Sequence, residues 1–308
     1  MPIRFHKPDD VDIAASLRRD GVAFVDGLLD AAAIEETREQ LTRYERDVLP
    51  GLTSAYKGYY ADGTLCMMQN LDQFEPWFAQ FARRPRLLNM VRDAVGWDPV
   101  VSYVETFPKP PGAGAIGAHQ ELFASPVEPA HFVHLWIALA DVGAANGGMA
   151  FYRASHKLGL APHVERPGYA PMVEPDLLEQ LTRFRLEADF LAGSAALFDC
   201  LTIHCSGAND SGHGRPVAVI GYRDRNSSVP SDDTILPTIL ARMFREETGA
   251  AHCGVDDRFT DLGGDAAAAR RVLDRVRADT GLTLDVDELT TYATPAELAA
   301  RITELNCS

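Results

Sequence analysis

A chain of 308 residues, 46% hydrophobic and 24% charged, is long enough for one large domain or a large domain plus a small one, and its composition excludes a disordered or collagenous chain. A formal charge of -15 argues against phosphate-rich partners, so neither nucleic acid nor an anionic membrane surface is expected as a ligand. The five cysteines (Cys66, Cys200, Cys205, Cys253, Cys307) are scattered without a C-x-x-C pair, and no apolar leader or membrane-length run occurs, which points to the cytoplasm.

Asp12 to Arg19 reads as a helix and Val22 to Val25 as a strand. A second helix follows, capped by Asp30, with Ile34, Leu41, Tyr44 and Val48 on one face. From about residue 99 the texture changes to short apolar or alternating runs broken by Pro, Gly and Asn: VVSYVETF, FVHLWIALADV, GMAFY, LEADFL, AALFD, TIHCS and PVAVIGYRD. Many short strands of this kind predict a mainly β sandwich or jelly roll with helices around it. Strand texture stops after Asn226, and the segment from Ser231 to Ser308 carries 15 Asp+Glu against 8 Lys+Arg, a net of -7. The expected organisation is a β domain over 1–230 and a small acidic helical bundle over 231–308.

Within the β region, His119 and Glu121 in GAHQELF are one residue apart. On a strand both would project from one face, with Gln120 opposite. His204 in LTIHCSG can supply a third ligand from a distant strand. Two histidines and one carboxylate on one face of a metal leave positions open for cosubstrate and dioxygen, the pattern of non-haem Fe(II) oxygenases, whereas zinc favours a closed tetrahedral set. Arg215 follows His204 at the start of the next strand. Its planar guanidinium suits a carboxylate at the far end of an iron-bound ligand. An isolated H-x-E is more often an ordinary surface or core pair, but the distant His and the Arg reverse those odds. The other histidines are assigned to packing, with His156 the strongest exception. Cys205 should point away from the metal by strand alternation.

The segments KPPGAGAIGAHQE, LWIALADVGAANGGMAFYRASHKLG and LFDCLTIHCSGANDSGHGRPVAVIGYR resemble the phytanoyl-CoA dioxygenase family of Fe(II)/2-oxoglutarate enzymes, and RRDGVAFVDGLLD resembles that family's opening. The resemblance covers about residues 10 to 225. It implies a cupin-like double-stranded β-helix that uses Fe(II), O2 and 2-oxoglutarate, with decarboxylation to succinate and CO2 coupled to oxidation of a C–H bond. It assigns His119, Glu121 and His204 to iron, Arg215 and Ser206 to the 2-oxoglutarate carboxylate, and Trp136 and Gln69 to the neighbourhood of the cosubstrate. The family usually has Asp where this chain has Glu121. Related halogenases have Gly or Ala there, so Glu121 argues against halogenation.

The sequence from Ile235 to Ile302, with its DLGGD loop and TPAELAARI helix, resembles an acyl or peptidyl carrier domain. Where carriers have the serine that takes the phosphopantetheine arm, this chain has Ala266, so the resemblance implies either a naturally degenerate carrier or an alanine introduced in place of that serine. The expected activity is oxidation of a small acyl, amino-acyl or amino-acid-derived substrate in specialised biosynthesis. The substrate would be free, carrier-linked or CoA-linked, with a synthetase or carrier protein as partner. The alternative expectation is a docking subunit of a synthetase assembly. Substrate contacts are expected from loops around residues 50–75, 122–130 and 160–182.

Overall fold

Alternating side chains on a few central strands organise the larger part of this protein. The computed structural model describes residues 3–53, 56–60, 63–166, 169–229, 232–250 and 252–306. Ser231, where the boundary is expected, lies outside the described residues, as do parts of the loops expected at 50–75 and 160–182. The chain divides into two compact units, Met1–Ser228 and Val229–Ser308.

The first unit opens with β1 (Phe5–His6), α1 (Asp12–Asp20), β2 (Val22–Val25) and α2 (Ala31–Asp47). Asp30 caps α2 by accepting from Ala33 N at 2.9 Å, and Leu41 and Tyr44 are buried on the expected face. Next come β3 (Lys57–Tyr59), β4 (Leu65–Met68), α3 (Leu71–Phe74), α4 (Pro76–Ala82) and α5 (Pro85–Val95). Then follow β5 (Pro99–Glu105), β6 (Ile116–His119), α6 (Glu121–Ala124), β7 (Phe132–Ala138), β8 (Met149–Tyr152), β9 (His163–Arg166) and β10 (Tyr169–Val173). The unit closes with α7 (Pro175–Leu181), β11 (Arg185–Glu187), β12 (Ala195–Asp199), β13 (His204–Ser206) and β14 (Val217–Asp224).

A six-stranded sheet runs β1-β2-β12-β7-β14-β5 and a four-stranded sheet runs β11-β8-β13-β6. Phe151 of the smaller sheet meets Phe198 of the larger at 5.3 Å between ring centroids, so the two sheets pack face to face as the expected jelly roll. Strands β2, β7, β12 and β14 are buried on both faces. Ala23, Val25, Leu135, Ile137, Leu197 and Ile220 pack outward against the helices, while the intervening Phe24, Trp136, Phe198 and Val219 fill the interior. Burial of each such Leu, Ile or Phe side chain contributes about 1.5–3 kcal/mol, which fixes register, because a one-residue slip would exchange the two faces.

The second unit is helical: α8 (Asp232–Thr248), α9 (Ala266–Thr280), α10 (Val286–Thr291) and α11 (Pro295–Asn306). It has its own core, including Leu240, Phe244, Val272, Leu298 and Ile302. Asp265 caps α9 by accepting from Ala267 N and Ala268 N, and Ala266 is exposed as the first residue of that helix. Among the described residues no helix is long and apolar enough to cross a membrane.

One backbone position joins fold to site. Gly147, in the turn before β8, has φ +87°, and a Cβ there would lie 2.4 Å from the Lys109 Cδ and 3.1 Å from the Gly207 carbonyl oxygen. Gly147→Ala is therefore expected to destabilise the first unit by about 1–3 kcal/mol, through strain at positive φ and displacement of Lys109. Calorimetry should show a Tm lowered by several degrees for that unit's transition, and an unchanged transition would contradict the close approach.

Candidate metal centre

Strand β6 ends at His119 and β13 begins at His204, and the antiparallel register sets these two residues directly opposite each other. Their rings lie 4.3 Å apart between centroids. Each imidazole donates Nδ1–H to the carbonyl two residues back in its own chain: His119 to Gly117 O at 2.8 Å, His204 to Thr202 O at 3.0 Å. Both Nε2 lone pairs are thereby left to face the same space, the tautomer a metal requires.

Glu121 differs from expectation. It is not on the strand with His119: β6 stops there, and Glu121 opens the single-turn helix α6. Gln120 explains the break. Its buried amide donates to Gly159 O and Leu201 O and accepts from Ala161 N, and Leu122 N bonds Cys200 O, so the chain leaves the sheet to satisfy these groups. Gln120 does point opposite to the site, as the alternation argument requires. The glutamate still turns inward: its Oε1 lies 3.0 Å from His204 Nε2 and 3.5 Å from His119 Nε2.

Ligand atoms from His119, Glu121 and His204 all lie within 4.8 Å of one another, and among the described residues this is the one such cluster. Two neutral imidazole nitrogens and one carboxylate oxygen fit a divalent first-row metal. Burial would raise the Glu121 carboxyl, but the three imidazoles around it, His134 first and then His119 and His204, favour its ionised form and hold it well below the usual carboxylate range. Burial pushes His204 down, helped by the charge of His119. Burial also opposes protonation of His119, yet the hydrogen bond and charge of Glu121 raise it.

The triad borders a cavity of about 90 Å³ that Ser206, Arg215 and Trp136 also line. At ~10–15 Å³ per water, this volume suits a small organic acid. Arg215 is 2% exposed, its guanidinium lies 5.6 Å over the Trp136 ring, and Nη1 and Nη2 donate to Gly147 O at 2.8 Å and Phe107 O at 3.0 Å. Among the described residues its Nε has no partner, and burial lowers its pKa to about 10. Among the described residues no carboxylate pairs with it. A buried cation with an orphaned N–H beside an open cavity is a site prepared for an anion.

Gln69 stands apart from the other expected residues: it is not a cavity-lining residue, and it hydrogen-bonds the buried Glu105 carboxyl. His156 meets Arg18 O at 3.2 Å and is likewise absent from the cavity. Cys205 packs in a cluster with Ile203 and Ala118, as expected, while also touching the cavity's edge.

His134, Tyr103 and Lys109 escaped sequence reasoning. His134, assigned to packing, places Nδ1 3.2 Å from Glu121 Oε1 and accepts at Nε2, 2.6 Å away, from the Tyr103 hydroxyl. Its parity with Trp136 along FVHLWIA was the available signal. Lys109 is 1% exposed and donates from Nζ to Ser206 Oγ at 2.9 Å and to Gly207 O. Burial, then the charge of Arg215, lower its pKa to about 8. A lone lysine between prolines gave no signal.

Comparison with known proteins matches residues 17–217 to the family model "Phytanoyl-CoA dioxygenase" and residues 238–302 to "Phosphopantetheine attachment site". The epimerase SnoN in complex with Fe3+, alpha ketoglutarate and nogalamycin RO is 21% identical, with a TM-score of 0.61 over 71% of this chain and 85% of that one. EctD from S. alaskensis with 2-oxoglutarate and 5-hydroxyectoine is 17% identical, with a TM-score of 0.63 over 74% and 81%. At these identities the likeness is one of fold. A dimodular nonribosomal peptide synthase of Bacillus subtilis (strain 168) is 35% identical over 79 residues, 26% of this chain. The chain spans 3% or less of the curated relatives it matches. With a family model covering most of the chain and a jelly-roll core beneath it, this chain belongs to the phytanoyl-CoA dioxygenase family of non-haem iron and 2-oxoglutarate oxygenases.

Proposed function

We propose that His119, Glu121 and His204 hold one Fe(II), and that 2-oxoglutarate lies in the adjoining cavity with its distal carboxylate against Arg215 and Ser206. The substrate is a small acyl, amino-acyl or amino-acid-derived molecule, oxidised at a C–H bond. The observation that carries this reading is the triad's convergence beside a buried guanidinium whose Nε lacks a partner, in one cavity of about 90 Å³. When bound, ferrous iron supplies the redox chemistry that couples decarboxylation of the keto acid to substrate oxidation.

The chain's own residues do the rest. Lys109 donates to the Ser206 oxygen, leaving the serine's proton free to donate to a carboxylate. Trp136 walls the cavity under Arg215 and keeps water from the guanidinium, which strengthens a charge-assisted bond there. Glu121 brings a carboxylate where halide-using relatives have none, so oxidation of the C–H bond without halogen transfer is the expected outcome.

The carrier-like tail supports a second element of function. Its nearness to carrier modules and its net charge of -7 fit a module that docks on a basic synthetase surface, while Ala266 leaves no hydroxyl for an arm at that position. The tail would recruit the barrel to a nonribosomal peptide synthetase assembly.

Four outcomes test this. Succinate should be released with iron, 2-oxoglutarate and an acyl, amino-acyl or free-acid candidate, and no turnover across all classes would count against the oxygenase. Arg215→Ala should weaken 2-oxoglutarate binding by about 2–5 kcal/mol in calorimetry while leaving metal binding intact. Because a bound dianion favours the charged ammonium, wild-type affinity should be full below pH 8 and fall as pH rises through the Lys109 pKa of about 8. Lys109→Met should flatten that dependence. Deleting residues 229–308 should abolish capture of a synthetase yet preserve turnover of a free substrate, and loss of turnover with a folded barrel would contradict a docking role.

A further inference from the structure

Glu121 opens a single helical turn after β6 ends, so strand alternation does not fix the direction of its side chain. A glutamate also has one more rotatable bond than an aspartate, so holding its carboxylate in one place costs more side-chain entropy. Among the described residues, the group other than the two ligand histidines that bonds its carboxylate is His134, whose Nδ1 lies 3.2 Å from Oε1.

A carboxylate only accepts, so Nδ1 must carry the proton, and a neutral ring then accepts at Nε2. The Tyr103 hydroxyl stands 2.6 Å from that nitrogen and donates to it, with Ser125 Oγ 3.4 Å from the same phenol oxygen. The ring itself is held tightly. His134 is 1% exposed on β7, with Tyr103, Phe132 and Phe198 rings 5.6, 5.1 and 5.4 Å away. Across the β14–β7 pairing its partner is Gly221, where a Cβ would lie 2.8 Å from the Tyr103 ring. The absent side chain makes the room through which the tyrosine reaches.

We propose that His134 is a positioning residue: with its tautomer set by Tyr103, it holds the Glu121 carboxylate between His119 and His204 and so adapts the centre to the longer acid. This deepens the metal reading above and rests on it. A hydrogen-bonded neighbour of a metal ligand typically changes metal affinity by roughly 10–100-fold.

The experiment is anaerobic equilibrium dialysis of the full chain against Fe(II) and Co(II), with the Co(II) visible spectrum recorded for each variant and folding checked by circular dichroism. His134→Leu should lose at least tenfold in metal affinity and shift the Co(II) bands. His134→Asn keeps an N–H at the Nδ1 position and should recover most of the affinity, while Tyr103→Phe should fall between. In a Glu121→Asp background, where the shorter acid withdraws from His134, adding His134→Leu should cost no more than twofold. Wild-type metal binding with an unchanged affinity in folded His134→Leu, or an equal loss in the wild-type and Glu121→Asp backgrounds, would overturn the positioning role and leave the metal centre standing. Should His134→Leu not fold, the same comparison is made with Tyr103→Phe, and an unshifted spectrum there overturns the role. Absence of metal from the wild type would overturn both.

Discussion

The pairing of β13 with β6 is the constraint on which the site depends. Its register sets His119 opposite His204, and a slip of one residue would exchange the two faces of the strand and turn His204 away from Glu121. Register here is held from several sides. β13 also pairs with β8, His204 lying opposite Phe151, and Phe151 packs on Phe198 of the facing sheet. Ile203 N bonds Ser155 Oγ and Gly207 N bonds Gly148 O, fixing the chain at both ends of the short strand. The aromatic interior thus orients two imidazoles, and their Nδ1–H bonds to nearby carbonyls complete the preparation.

The second organising fact is charge buried without an opposite partner. Lys109 and Arg215 are each about as buried as a leucine in the core, and among the described residues neither meets a carboxylate. A protein selected for stability alone would replace such cations with apolar side chains, because desolvation of an unpaired charge is costly. Arg215 lines the cavity and Lys109 bonds the cavity-lining Ser206, an arrangement that makes physical sense when an anionic ligand completes it and the destabilisation is offset on binding. The same logic explains the Asn146-Gly147-Gly148 turn, whose positive φ and missing side chain admit the lysine stem.

Much of this was legible in the sequence, for reasons that can be named. Strand periodicity over FVHLWIALADV and AALFD gave the double-sided sheet, and the Asp30 cap with its apolar face gave α2. The pairing of His119 with a distant His204 and the position of Arg215 also followed from spacing and from the chemistry each group can do. Glu121 was legible as a candidate ligand but not in its place, because the break after His119 depends on Gln120 satisfying the backbone of loops some 40 and 80 residues away, which no local pattern records. A buried histidine on an apolar strand normally packs, so His134 reads as core in the sequence; its shared parity with Trp136 is a weak signal, and its 3.2 Å approach to Glu121 is a long-range fact that no local pattern records. The tail's DLGGD loop announces a carrier-like unit, in agreement with the match of residues 238–302 to the phosphopantetheine attachment site family.

The metal centre can be examined directly by anaerobic titration of the full chain with Fe(II) in the presence of 2-oxoglutarate, followed by metal analysis after desalting. One iron per chain is expected in the wild type, with none retained by a folded His204→Ala variant. Equal iron in the two proteins would contradict the centre described here.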